Sequence, residues 1–268
     1  MLSFNIGPLA LPLGHVLLVL GFIMALVVGA IVGRKERIPI GGPLSDIFLA
    51  AMLAARIGFV VRYFDHYQND LLGIIDIRDG GFDIISGVSG ALVVLAWKLW
   101  RQPAIRRALG SAATAGLLTW GSLTLLITLV EGSARAVPAT ALADLDRRPV
   151  TLADVAGGRP MVVNLWASWC PPCIREMPVL EKAQQDHSDI AFVFVNQGEQ
   201  PETIRQFMSQ QGLSLDNMLT DTNASLGQAT GSHGLPTTLF YDAQGRQVSA
   251  HMGELSAASL AHNLGRFD

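Results

Sequence analysis

Apolar residues run almost unbroken through four stretches of the first 130 positions, whereas beyond residue 132 they alternate with polar ones as in an ordinary globular fold. The four stretches extend from about Leu13 to Val32, Leu44 to Phe64, Phe82 to Trp100 and Leu109 to Val130. Each is near the ~20 residues a helix needs to cross the hydrocarbon core of a bilayer. The third is interrupted by Ser86, Gly87, Ser89 and Gly90, a pattern of either close helix packing or a re-entrant segment; four spans are expected. An apolar start can also belong to a cleaved signal peptide, but no positive charge precedes it and further spans follow.

The second half reads as alternating strands and helices, the pattern of an α/β layer fold. Met161–Trp166 predicts a strand leading through a turn into a helix from Pro171 to about Gln185. Ile190–Val195 is a continuous apolar run suited to a buried central strand. A helix over Pro201–Gln211 opens on proline and stops at Gly212. Thr237–Tyr241 and Arg246–His251 predict a hairpin across Asp242–Gly245, and a last helix covers roughly Ser256–Gly265. The expected domains are a transmembrane anchor over 1–132, a linker over 133–140 whose small and polar residues suit a flexible tether, and the α/β domain over 141–268.

Charge orients the membrane part. Arg34, Lys35 and Arg37 follow the first span, and Lys98, Arg101, Arg106 and Arg107 separate the third from the fourth. Cation-rich loops stay in the cytoplasm. The intervening loop carries Asp65, Asp70, Asp76 and Asp79, so it and both termini are expected outside. Half of the chain is hydrophobic and only 15% is charged, against roughly 25% in an average soluble protein. A net charge of −3 offers nothing to attract nucleic acid, and no nucleic-acid partner is expected.

The two cysteines, Cys170 and Cys173, form one C-x-x-C pair, too few for a structural disulfide network or a four-thiolate zinc site. At the junction of a buried strand and a helix N-terminus, Cys170 lies beside unsatisfied backbone N–H groups and the positive end of the helix dipole, which stabilise a thiolate. Cys170 is therefore the candidate nucleophile. Cys173, one turn later, is the candidate resolving cysteine. Pro171 and Pro172 fit the first turn, where no N–H is needed, and stiffen the loop. The competing readings are a permanently buried structural disulfide and half of a metal site.

The segment Val163-Asn-Leu-Trp-Ala-Ser-Trp-Cys-Pro-Pro-Cys-Ile-Arg-Glu-Met-Pro178 resembles the active-site segment of the thioredoxin-like reductases of the TlpA, ResA and CcmG kind, and the likeness covers about residues 138–268. The resemblance extends to Gly234-Leu-Pro-Thr-Thr-Leu-Phe240. It implies a thioredoxin-like fold, a cis peptide before Pro236, and a substrate surface bordered by Trp169, Pro171, Pro172, Leu235, Pro236 and Thr237. Asn164 stands where ordinary thioredoxins carry an aspartate that assists proton transfer. The resemblance implies that Glu176 serves that role here; the plain alternative is a solvated glutamate favoured by the helix dipole. His187 and His233 raise the question of copper delivery, as in Sco-like proteins, but those space their cysteines more widely, and no metal site is expected.

The first ~110 residues more weakly resemble the N-terminal part of prolipoprotein diacylglyceryl transferase, through Ile6–Gly14, Ala55–Tyr63 and Gly80–Gly90. Ile85 and Ser86 stand where that family has a histidine and a glycine, and about three of its later spans are missing, so lipid transfer is not expected. Arg56, inside the second span, requires a partner or polar cavity; it is either a relic of a headgroup site or a packing element. The membrane part has no cysteine and cannot relay electrons by thiol exchange. The resulting expectation is a multi-pass protein of the bacterial inner membrane, embedded in the lipid bilayer, with its redox domain in the periplasm. It would reduce disulfides of exported proteins and take electrons from a membrane donor of the DsbD or CcdA kind, with no cofactor beyond its own disulfide. A thiol oxidase or isomerase on the same scaffold is the alternative.

Overall fold

A computed structural model describes residues 3–6, 9–36, 38–68, 71–131, 136–232 and 234–267. Arg37, Asp70, His233 and residues 132–135, the start of the tether among them, lie outside these described residues. The chain divides into two compact units, one formed by Leu13–Ile74 with Gly81–Gly132, the other by Ser133–Asp268 with Met1–Pro12 and Ile75–Gly80. Grouped by their contacts, two short pieces, Met1–Pro12 and Ile75–Gly80, thus go with the unit that follows residue 132. Asp79 shows why: its carboxylate accepts from Ser256 Oγ (3.0 Å) and its carbonyl from Ser259 Oγ (2.6 Å), contacts invisible to hydropathy.

The helical unit contains α1 (Leu13–Glu36), α2 (Gly41–Arg62), α3 (Ile84–Arg101) and α4 (Arg106–Glu131). All four are long and apolar enough to cross a membrane. The helix α3 is continuous, and its glycines serve packing: a Cβ on Gly87 would stand 3.0 Å from Ala55 Cβ, and one on Gly90 only 2.5 Å from Ala54 Cβ. Small residues let the backbones of α2 and α3 approach closely, the usual device where apolar surface cannot drive association. The same holds for α1 and α4, where Gly116 faces Ala25 Cβ and Gly21 faces Trp120. The buried ammonium of Lys98 on α3 pairs with Asp46 on α2 at 2.6 Å.

Arg56 finds its partners within the same unit. Its guanidinium donates to three backbone carbonyls, those of Gly73 (2.7 Å), Ile74 (2.9 Å) and Gly81 (2.9 Å), and lies 5.7 Å from the Tyr67 ring centroid. These contacts meet the cost of holding a cation inside an apolar helix. A Cβ at Gly81 would fall 2.5 Å from the Phe59 ring and 2.6 Å from Arg56 Nη1, so a larger residue there forces those side chains to move.

The second unit contains a short hairpin, β1 (Ser3–Ile6) and β2 (Leu9–Pro12), and a seven-stranded sheet. Its strands are β3 (Leu142–Asp144), β4 (Pro149–Val150), β5 (Met161–Trp166), β6 (Ala191–Gln197), β7 (Met218–Asp221), β8 (Thr237–Tyr241) and β9 (Gln247–Met252), in the order β4-β3-β7-β6-β5-β8-β9. Strands β5, β6 and β7 are parallel, and β8 runs antiparallel to both β5 and β9. The helices are α5 (Leu152–Ala156), α6 (Pro171–Asp186), α7 (Pro201–Gln211), α8 (Ser225–Thr230) and α9 (Ala257–Leu264). This is the thioredoxin-like arrangement. Every residue of β5 and β6 is buried, as expected where helices cover both faces of a parallel sheet. Even-numbered Val162, Phe192 and Phe194 join one cluster with α6; odd-numbered Val163, Val193 and Val195 join the other. Asn164 is even-numbered, which places it on the α6 face.

The helix α7 has the expected bounds and stops where Gly212 turns left-handed at φ 66°. Sequence pattern alone missed β3, β4, β7, α5 and α8, all six residues or shorter.

Candidate active site

The site begins where β5 ends. Ala167–Cys170 is a turn closed by the Cys170 N–H donating to the Ala167 carbonyl at 3.2 Å. Cys170 keeps an extended backbone and caps α6: its sulfur accepts from the Cys173 N–H at 3.3 Å. Pro171 and Pro172 occupy the first two helical positions, where their missing N–H groups are no loss. The two cysteines form a disulfide. Cys170 retains 3% exposure and Cys173 none, so an incoming sulfur can reach only the first.

Glu176 is not the solvated first-turn glutamate of the plain reading. It is wholly buried, and its Oε1 accepts from Asn164 Nδ2 at 2.8 Å while Oε2 accepts from the Leu255 N–H at 2.9 Å. Burial pushes its pKa from 4.5 up to about 8, against the opposing pull of those two donors. Glu176 lies one helical turn after Cys173 on α6, and a carboxyl raised by burial toward neutrality is able to exchange protons near neutral pH. Asn164 also donates to Thr238 Oγ1 (3.0 Å), its direct cross-strand neighbour. The amide thus sits where an aspartate would put a second buried carboxylate against Glu176.

Around the sulfurs, Trp169 is 67% exposed; Pro171 is exposed and Pro172 half-buried. The Leu235–Pro236 bond is cis, and Leu235 packs against the apolar cluster that contains both cysteines. Thr237 departs from its expected place at the edge of this surface. Its side chain is buried, with Oγ1 donating to the Gly234 carbonyl (2.8 Å) and 2.6 Å from Ser232 Oγ, because it opens β8 between two neighbouring strands. His187 is exposed at the end of α6. No cluster of metal-binding side chains occurs among the described residues.

Sequence reading missed one carboxylate here. Glu199, in the loop between β6 and α7, accepts from the Ser168 N–H (2.7 Å), from Ser168 Oγ (2.5 Å) and from Asn196 Nδ2 (2.7 Å). The signal was present in the strand pattern. Trp166 and Asn196 pair at the ends of parallel β5 and β6, so residues just beyond them meet at the carboxyl ends of the strands, where α/β folds build their sites.

A thioredoxin-like sheet presenting a cysteine pair at a helix N-terminus defines a dithiol–disulfide redox domain. The Redoxin family model matches residues 132–261, and the model described as prolipoprotein diacylglyceryl transferase matches residues 2–119. The thiol:disulfide interchange protein DsbE of Vibrio cholerae is 31% identical over 133 residues, 48% of this chain and 70% of that protein. The thiol-disulfide oxidoreductase ResA of Halalkalibacterium halodurans is 31% identical over 117 residues, 43% of this chain and 65% of its own length. A solved structure of MTB dsbF in mixed oxidized and reduced forms covers 49% of this chain at 26% identity, with a TM-score of 0.45. The chain belongs to the ResA- and DsbE-like thiol–disulfide oxidoreductase family, with a transferase-like membrane segment fused ahead of the redox domain. It spans 60% to 65% of the length of three curated relatives that it matches.

Proposed function

We propose that the chain is a membrane-anchored disulfide reductase acting on exported proteins. The observation that carries this reading is the Cys170–Cys173 disulfide at the start of α6, with one sulfur reachable, one sealed, and the buried Glu176 carboxyl one turn further on. In the reduced protein the Cys170 thiolate bonds to one sulfur of a substrate disulfide. The substrate S–S bond breaks, and the departing thiolate takes a proton from water. Cys173 gives its proton to the Glu176 carboxylate and attacks Cys170 Sγ, expelling the second substrate thiolate, which is protonated in turn. Two electrons have then passed to the substrate. A dithiol donor restores them: its first thiolate bonds to Cys170 Sγ and opens the Cys170–Cys173 bond, Glu176 returns its proton to the departing Cys173 sulfur, and the donor's second thiolate then displaces Cys170 as a thiolate, leaving the donor as a disulfide.

The four apolar helices and the cation-rich segments after α1 and between α3 and α4 support a periplasmic redox domain. With only two cysteines in the chain, the donor is a separate protein; a membrane dithiol carrier of the DsbD or CcdA kind fits. Apocytochrome c, copper-site assembly proteins and repair enzymes are candidate substrates. The transferase-like segment serves as anchor, since Arg56, the cation in the interior of its second helix, is engaged by backbone carbonyls of its own unit. The reading is tested by trapping. A Cys173→Ala chain cannot resolve its mixed disulfide, and its covalent adducts identify the substrates. A Cys170–Cys173 pair that stays oxidised in cells whatever donor is present overturns the reductase in favour of an oxidase.

A further inference from the structure

Glu199 joins the loop after β6 to the turn that presents the nucleophile. Its carboxylate takes both donors of Ser168, N–H and Oγ–H, and is itself held by Asn196 Nδ2. Asn196 in turn is a fully buried residue of β6, and its Oδ1 accepts from the Glu199 N–H at 3.2 Å. The anchor is therefore the rigid centre of the sheet, and the load is the second residue of the Ala167–Cys170 turn. Hydrogen bonds to a carboxylate are roughly twice as strong as neutral ones. Without Glu199 that turn keeps the Cys170 N–H bond to Ala167, while the Ser168 N–H and hydroxyl lose their acceptor.

We propose that Glu199 is a positioning residue for the redox step, holding the Ala167–Cys170 turn so that Cys170 Sγ stays against the Cys173 N–H. The inference rests on the reading of Cys170 as nucleophile. The geometry gives the consequence: that N–H, 3.3 Å from the sulfur, and the start of α6 favour a thiolate. A turn released from Glu199 lets the sulfur drift from its donor, so the thiol holds its proton to higher pH and reacts more slowly at neutrality. A charge effect has the opposite sign. A nearby carboxylate disfavours a thiolate, so if charge were what mattered, removing it would make Cys170 more acidic.

The test uses the full-length chain, reduced with dithiothreitol in detergent micelles, and follows alkylation of Cys170 by iodoacetamide against pH. Glu199→Ala is expected to slow alkylation at pH 7 by about tenfold, since small misplacements of reacting groups cost rates of this order or more, and to move the inflection to higher pH. Glu199→Gln, which keeps one acceptor oxygen, falls between the two. Ser168→Ala combined with Glu199→Ala adds little to Glu199→Ala alone, because the same contact is removed twice. Glu202→Gln, which removes an exposed charge on α7 paired with Arg147, leaves the profile unchanged. Unaltered profiles in folded Ala and Gln variants, or equal shifts of both to lower pH, overturn the positioning role while leaving the reductase reading intact. A wild-type chain that reduces no disulfide, or a Cys170→Ser chain that still does, overturns the reductase reading itself. If Glu199→Ala fails to fold, the Gln variant and Ser168→Ala decide, since both leave part of the contact in place.

Discussion

Asn164 on β5 donates its side-chain N–H to Glu176 on α6 at 2.8 Å, inside the core, with β8 and β9 on one side of its strand and β6, β7, β3 and β4 on the other. The pairing joins a strand residue that cannot ionise to a helix residue that can. Replacing the amide by a carboxyl puts two acids in one dry site, where both cannot be charged together. Asn164→Asp is expected to retain a shared proton across neutral pH and to lose thermal stability more steeply than the wild type as pH rises. Melting temperatures taken across the pH range check this; parallel curves for the two proteins would refute it.

Among the groups of the redox site, Glu176 sets a pH dependence of the wild type on the neutral-to-alkaline side. Its folded-state pKa of about 8 stands above the ordinary 4.5, so its contribution to stability is complete below 4.5 and is lost as pH rises through 8. Glu176→Gln removes the titration. The variant is expected to match the wild type in acid and to exceed it above about pH 8, by on the order of a few kcal/mol. Resolution of a mixed disulfide by Cys173 should slow in the same variant, because no carboxylate is left to take the thiol proton; single-turnover kinetics measure it.

The unequal exposure of the sulfurs predicts unequal chemistry. Cys170→Ser should abolish adduct formation with any disulfide partner, whereas Cys173→Ala should accumulate adducts. Non-reducing electrophoresis separates these outcomes, and adducts on Cys173 in the Cys170→Ser chain would contradict the burial argument.

In the helical unit, Gly81→Ala forces a methyl group into the Phe59 ring and the Arg56 guanidinium. Overpacking of this kind costs about 1–3 kcal/mol, and the hydrogen bond from Arg56 to the Gly81 carbonyl should weaken with it. Unfolding of the protein in mixed micelles is expected to show a lower midpoint; an unchanged midpoint would mean that the loop yields freely.

Much of this was legible because the signals are local. Four apolar runs of bilayer length, the C-x-x-C after a strand, and the proline-started, glycine-stopped α7 each lie within one stretch of sequence. What stayed hidden was non-local or short. The strands β3, β4 and β7 have two to four residues, too few for a period to be read. The acceptors of Arg56 are backbone carbonyls 17 to 25 positions away, and a carbonyl has no letter. Thr237 looked like a rim residue because it follows Pro236, yet the cis bond leads straight into an inner strand. Glu199 required knowing which strands lie side by side.

Arg56 also sets an order of events during synthesis. The carbonyls that receive it lie beyond the end of α2, at Gly73, Ile74 and Gly81. When α2 is first complete its guanidinium has none of them, and it acquires all three only once the chain has been made as far as Gly81, 25 positions beyond Arg56. The second long helix and the segment that follows it are thus made to be completed together, and a chain ending between residues 62 and 73 would lack every one of the three carbonyls that hold the Arg56 guanidinium.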